Sequence, residues 1–171
     1  MKESVRWIFD KLFVLEAAAA TIAYAVVGGL LLLDIIGREF FGTGIYGAQK
    51  YAVYAAILAA FLGLAMATAK GQHLRAEAMD AMVPQRWSQV ADRFGYFLSF
   101  VLFAGLVWVS FQFMLDTRQL GMRAAVIGLP LWLLQIVLPY AFGSSALRNL
   151  AYAIYPTLAP QRQIEDTEAP R

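Results

Sequence analysis

The sequence predicts an all-α integral membrane protein with four transmembrane helices, and three observations lead to this prediction. Hydrophobic residues occupy 60% of the 171 positions and charged residues only 15%, well below the roughly 25% usual in soluble domains. The apolar residues are concentrated in four uncharged runs of 17, 19, 22 and 24 residues. A bilayer core needs roughly 20 residues of helix, and uninterrupted runs lack the alternation of β-barrel strands.

The uncharged runs place the predicted spans at about 13–36, 48–69, 94–115 and 126–147, within one membrane domain of residues 1–155. Three glycines in the stretch 42–47 separate the first two spans. Apolar residues at helical spacing in the first dozen positions, and again after Pro84, predict short interfacial amphipathic helices. Pro139 is expected to kink the last span. The tail of residues 156–171 is polar and proline-containing, so we expect it to be disordered.

Basic residues set the predicted orientation of these spans. The amino-terminal segment, the connection of residues 70–93 and the carboxyl-terminal end together carry ten Lys or Arg residues, and the two opposite loops carry four. Because the cytoplasmic loops of membrane proteins carry the excess of Lys and Arg, both termini and the long connection are predicted to be cytoplasmic. The net charge of +2 is too small to indicate nucleic-acid binding.

Very few residues offer chemistry at membrane depth. The chain has no cysteine and a single histidine, His73, so it cannot supply two histidine ligands to a haem and falls short of a zinc site. His73 is instead expected to make a hydrogen bond in the turn after the second span. The sequence shows no nucleophile–base pattern, phosphate-binding loop or dinucleotide fingerprint. We therefore predict that the protein is not an enzyme and holds neither a cofactor nor a metal.

Glu16 lies one turn inside the predicted first span and allows two hypotheses. A carboxylate at membrane depth is a candidate for proton coupling, which would suit a small four-helix exporter that works as a homodimer through Glu16. The alternative is that Glu16 sits at the membrane interface or within a contact between helices.

Charged and small residues also mark candidate helix contacts. Asp34 and Arg38 are four residues apart, in the favourable order for an ion pair on one helix face. The pair is either solvated at the surface or partly desolvated within a subunit contact. Ala59 and Gly63 belong to a stripe of small residues spaced by four, which allows a neighbouring helix to approach closely. The Gly28–Gly29 pair is expected to do the same.

Four segments follow one another in a distinctive order. Residues 34–41 form an acidic–x–x–x–Arg–x–Phe ending of helix 1, and residues 61–75 include a Gly–x–His stretch after helix 2. The third segment is Val83–Pro84, and the fourth, residues 128–139, is similar to an Ile–Pro–x–Trp motif with a later proline. In this order the segments resemble the small membrane component of tripartite ATP-independent periplasmic (TRAP) transporters, the DctQ-like family. The resemblance covers about residues 17–150. The candidate subunit-interface or structural residues are Asp34, Arg38, Gln49, Ala59, Gly63, Gly71, His73, Arg75, Pro130, Trp132 and Pro139.

The resemblance implies a small noncatalytic subunit in a bacterial inner membrane. In the family, a periplasmic binding protein captures a substrate, often an organic acid, and a large membrane subunit imports it by symport with sodium ions or protons. The small subunit braces the large one among the membrane lipids. The outer loops, around residues 43–49 and 117–123, are the candidates for docking the binding protein. Gln49 departs from the glutamate that many members have at the start of helix 2, so a neutral hydrogen bond would replace an ion pair there.

Overall fold

A computed structural model describes residues 2–70, 88–124, 126 and 128–155, with side chains for 6–70, 93–124, 126 and 128–155. In these residues the chain is all-helical, as predicted, and its one bridge between extended segments joins Arg123 to Pro130. Gly71, His73, Arg75, the predicted helix after Pro84 and the predicted disordered tail lie outside the described residues. The helices are α1 (Lys2–Phe41), α2 (Ala48–Ala69), α3 (Ser88–Gln119), α4 (Leu131–Gln135) and α5 (Val137–Ile154).

Three helices among the described residues are long and apolar enough to cross a membrane. They cover Arg6–Phe41, Ala48–Ala69 and Arg93–Gln119. The α2 helix occupies the same residues as the second predicted span, whereas α1 and α3 extend beyond the first and third at both ends. These extensions carry charged residues and therefore reach past the hydrocarbon core.

The α1 helix is continuous from Lys2 to Phe41, without a separate interfacial helix at its start. No glycine or proline interrupts its first 26 residues, so nothing in the backbone chemistry ends the helix near residue 12. At about 1.5 Å per residue, 40 residues measure roughly 60 Å, twice the thickness of a hydrocarbon core. The charged amino-terminal third of α1 must therefore lie outside the core or run along its surface.

The fourth predicted span is divided into α4 and α5, which meet at Ile136. Proline has no backbone N–H and its ring clashes with the carbonyl four residues earlier, which for Pro139 is that of Gln135, the last residue of α4. The segment also begins later than the predicted residue 126. Before α4, backbone hydrogen bonds join Ala124 N to Leu129 O (2.8 Å) and Leu131 N to Met122 O (2.9 Å).

The most extensive contacts between the helices follow a single row. In the described part of the chain, α1 packs mainly on α2, α2 also packs on α5, and α5 packs on α3, with α4 lying against α3 and α5. No extensive packing joins α1 to α3 there. Many large hydrophobic side chains along this row, α1–α2–α5–α3, are exposed.

Small and aromatic residues fill the contacts along this row. The buried residues of α1 and α2 are mostly alanines, and Ala59 is fully buried, so these two helices approach closely. Phe142 of α5 connects its two neighbours, because its ring centroid lies 5.7 Å from that of Phe61 on α2 and 6.3 Å from that of Phe103 on α3. The Gly28–Gly29 pair has open space around it, so the close packing expected there does not occur within the described residues.

Two glycines shape the turn between α1 and α2. Gly42 ends α1 with a φ of +68°, and Gly47 precedes α2 with a φ of +76°, a left-handed conformation that side chains with a Cβ disfavour. A Cβ at Gly47 would lie only 2.5 Å from Val126 Cγ1, whereas a Cβ at Gly42 would meet nothing within 4 Å. Gly47 is thus also the point where the α1–α2 turn packs on the loop after α3.

We predict that Gly47→Ala destabilises the protein more than Gly42→Ala. Both substitutions force a left-handed alanine, at a cost of about 1 to 2 kcal/mol, but only the first also clashes with Val126. Gly28→Ala is the matched control, because it lies in a helix with open space around it and should gain up to about 1 kcal/mol of helix propensity. Thermal unfolding in detergent should rank the variants in this order, and equal losses for the two turn glycines would contradict the Gly47–Val126 contact.

Candidate functional site

A fully buried ion pair joins α1 to α5 near the amino-terminal end of α1. Nη2 of Arg148 lies 2.8 Å from Oε2 of Glu16, and neither side chain is exposed. Arg148 falls in the last two turns of α5, so the antiparallel course of the two helices brings these distant residues to one level. Opposite charges at membrane depth stabilise each other where neither could remain alone.

Neutral groups donate and accept further hydrogen bonds at this pair, although the buried Nε of Arg148 has no hydrogen-bond partner among the described residues. The hydroxyls of Ser144 and Tyr140, both on α5, donate to Oε1 of Glu16 over 2.8 and 3.2 Å. Nη1 of Arg148 donates to the backbone carbonyl of Ala65 on α2. The pair therefore ties together three helices, and both oxygens of the Glu16 carboxylate are used.

A second polar contact extends the cluster along the α2–α5 contact. The hydroxyls of Thr68 and Ser145 lie 2.8 Å apart, and Nδ2 of Asn149 donates to the backbone carbonyl of Ser145 over 2.8 Å. All three side chains are buried. We refer to Glu16, Tyr140, Ser144, Arg148, Thr68, Ser145 and Asn149 as the inter-helix polar cluster.

This geometry decides between the two hypotheses for Glu16. A carboxylate that couples proton movement to export must alternate between a proton and a substrate and must be reachable from an aqueous path. Glu16 is instead enclosed, paired with Arg148 and hydrogen-bonded by two hydroxyls. The structure therefore supports a helix contact at Glu16 and does not favour the exporter.

Asp34 holds the turn at the opposite end of α1. Its Oδ2 lies 2.8 Å from Nη2 of Arg38, and its Oδ1 accepts a hydrogen bond of 2.8 Å from the backbone N–H of Ile45. The Asp34 side chain is 5% exposed and that of Arg38 59%, so the acid is buried and the base largely solvated. A Cβ at Gly44 would lie 2.5 Å from Asp34 Oδ1, which shows how closely the turn wraps this carboxylate.

The other sequence-predicted residues lie at separate places. Gln49 is exposed in the first turn of α2, Ala59 is buried in the α2 interface, and Gly63 faces open space on α2. Pro130 is the N-cap of α4, and Pro139 lies in the first turn of α5. The guanidinium of Arg118, at the end of α3, lies 5.3 Å from the centroid of the Trp132 ring on α4. The two side chains form a cation–π contact.

Sequence reasoning missed Arg148, which it treated as the end of the last span. The available signal was Glu16 itself, because a carboxylate inside a span needs a counter-charge. Arg148 is predicted to lie on the same side of the membrane as Glu16, and it is the one arginine there that follows an apolar run and has no acidic neighbour in sequence. Tyr140 and Ser144 lie eight and four residues before Arg148, on the same face of a helix. Their role follows once Arg148 is placed.

We predict that Glu16→Gln lowers the free energy of unfolding by about 3 to 5 kcal/mol, because it leaves the buried guanidinium without its counter-charge. Glu39→Gln is the matched control, since it makes the same change at an exposed position of the same helix and should stay within about 0.5 kcal/mol. The double variant Glu16→Gln with Arg148→Met should lose less than the sum of the two single losses, as measured by unfolding in detergent. Simple additivity would show that the two side chains are not coupled.

Comparison with known families identifies the chain. The model of the family "Tripartite ATP-independent periplasmic transporters, DctQ component" matches residues 27–157, which include the Asp34 turn, α2 to α5 and Arg148, whereas Glu16 precedes the match. No curated protein and no solved structure gives a significant match. The matched stretch covers well over half of the chain, and its apolar helices indicate a multi-pass membrane protein. The chain belongs to the DctQ component family of TRAP transporters, as its sequence motifs predicted.

Proposed function

We propose that the protein is the noncatalytic small subunit of a TRAP transporter, which braces a large membrane subunit during gradient-driven import of an organic acid. One observation carries the proposal. The two carboxylates that lie within the predicted spans in the described residues are both engaged. Glu16 pairs with Arg148, and both side chains are fully buried, while Asp34 pairs with Arg38 and accepts a hydrogen bond from the backbone of Ile45. A transport pathway needs polar groups that face a substrate or ion, so that pathway belongs to a partner.

The row of helices supports docking of a large membrane partner. Its helices expose large apolar side chains, such as Ile22 on α1 (64% exposed) and Trp108 on α3 (67%). Extended apolar surfaces of this kind contact lipid or protein. We propose that the large subunit covers part of this surface and that lipid covers the rest.

The outer loops support docking of a periplasmic binding protein. The α1–α2 turn and the loop after α3 touch at Gly47 and Val126, so together they form one surface. Tyr46, which is 87% exposed, and the solvated guanidinium of Arg38 lie on that surface. We propose that it receives the binding protein or an edge of the large subunit.

The proposed orientation places the Asp34 turn in the periplasm and both termini in the cytoplasm of a bacterial cell. Burial of Arg148 in the membrane removes one basic residue from the carboxyl-terminal side. Nine of the remaining Lys and Arg residues lie on the side of the termini and four lie on the opposite side, which still favours cytoplasmic termini.

We predict that single cysteines will label from opposite sides of the inner membrane. The chain has no native cysteine, so Thr43→Cys in the exposed turn and Thr167→Cys near the carboxyl end each provide a unique thiol. A membrane-impermeant maleimide should label Thr43→Cys in cells with a permeable outer membrane, and Thr167→Cys only after the inner membrane is opened. The reverse pattern would overturn the orientation.

We predict that proteoliposomes take up the organic acid only when they contain both this chain and its large subunit, with the binding protein added outside. The large subunit should copurify with the chain, and Arg38→Gln should weaken this association because it removes a solvated guanidinium at the turn. Lys50→Gln is the matched control, since it removes an exposed charge on the same side. Uptake by the large subunit and binding protein alone, or dye export by this chain alone that Glu16→Gln abolishes, would overturn the proposal.

A further inference from the structure

A groove opens between α1 and α2 beside the inter-helix polar cluster. Its volume is about 270 Å³, and its walls include Ala17, Ala20 and Thr21 of α1 and Gly63 and Ala67 of α2. A Cβ added at Gly63 would meet nothing within 4 Å, so the groove reaches the backbone of α2. We call this space the α1–α2 groove.

The α1–α2 groove runs from the membrane surface into the hydrocarbon core. Lys70, the residue that follows α2, lies at one end and Gly63, seven residues earlier, lies deeper. Seven residues of helix span about 10 Å, so the groove extends about a third of the way through a bilayer core. Its long direction is that of a lipid acyl chain.

The walls of the groove favour hydrocarbon over water. Most of its lining residues are apolar. The hydroxyl of Thr21 already donates to the backbone carbonyl of Ala17 over 2.8 Å. Water placed there would find few hydrogen-bond partners, whereas an acyl chain has no hydrogen bonds to lose.

The size of the groove also argues against a partner helix as its occupant. A helix with its side chains is about 10 Å across, whereas this groove lies between two helices that are already packed on each other. The alanines of α1 and α2 pack closely beneath the groove, with Ala20 buried, so the space cannot deepen without separating the two helices. A single flexible chain fits the space as it stands.

The mouth of the groove carries a positive charge. The Nζ of Lys70 lies 5.8 Å from the centroid of the Phe13 ring, which positions the ammonium over α1 at the headgroup level. The nearby carboxylate of Glu16 is already paired with Arg148, and Lys70 makes no ion pair with the residues that the structure describes. A lysine near the membrane surface contributes about 1 kcal/mol to the attraction of an anionic lipid.

We propose that the α1–α2 groove binds one acyl chain of an anionic phospholipid and that the ammonium of Lys70 holds its phosphate. The site combines an apolar groove with a single cation, that of Lys70, at its mouth. A lipid held there would fill the gap between two helices without requiring contact with the large subunit. The site is independent of the transport role proposed above.

Native mass spectrometry of the delipidated full-length chain tests the site, with phosphatidylglycerol as the probe and phosphatidylethanolamine as the competitor. Gly63→Leu fills the groove and should abolish retention of phosphatidylglycerol. Lys70→Gln should lower its affinity about fivefold, which corresponds to the loss of about 1 kcal/mol. Gly28→Leu and Lys50→Gln are the matched controls, because each makes the same kind of change outside the groove, and both should bind as the unmodified chain does.

The outcomes separate the possible occupants. Equal retention of the two lipids, or no effect of Lys70→Gln, would overturn the anionic site. A folded Gly63→Leu variant that binds lipid as before but no longer binds the large subunit would assign the groove to a protein contact and overturn the proposal. If Gly63→Leu fails to fold, the exposed Lys70→Gln variant still decides whether an anionic headgroup is held.

Discussion

A carboxylate and a guanidinium that are both buried among helices must contact each other, and this requirement constrains how the helices pack. Each ion alone would cost several kcal/mol in an apolar interior, and the pair recovers that cost only with good geometry and additional hydrogen bonds. Glu16 and Arg148 meet this condition through Ser144, Tyr140 and the carbonyl of Ala65. The contacts fix which face of α1 meets α5, since rotation of α1 by one residue would move Glu16 through about 100°. Alanine contacts alone would tolerate such a rotation.

The other end of α1 is fixed by different means. Asp34 lies 18 residues after Glu16, about 27 Å along the helix, which is close to the thickness of a hydrocarbon core. Its carboxylate binds the backbone of Ile45 and so holds the turn that reverses the chain into α2. One acid thus joins helices at one edge of the core, and the other organises a turn at the opposite edge. Between them, α1 presents uncharged residues whose contacts carry little specificity of their own.

The sequence predicts the helices far better than it predicts their arrangement. Uncharged runs reveal helices because the hydrogen bonds of backbone groups in lipid must be satisfied within their own segment. Pro139 indicates an interruption because its ring clashes with the carbonyl of Gln135, only four residues earlier. The late start of α4 depends on hydrogen bonds between Met122, Ala124 and residues several positions later, which no helical periodicity encodes. Arg148 was misjudged for a related reason. A charge marks the end of a span only when water solvates it, whereas the charge of Arg148 is paired with a side chain on another helix.

The row of helices has a mechanical consequence. A closed bundle buries its own interior, but a row leaves both faces to be covered by lipid or protein, so its shape depends on the links between neighbours. Those links differ along the row: small residues and the inter-helix polar cluster join α1, α2 and α5, and the rings around Phe142 join α5 to α2 and α3. Because lipid is as apolar as the side chains it replaces, apolar contact by itself favours no particular arrangement of helices. Directional links of this kind keep the row in one shape, which is the property that the proposed bracing role requires.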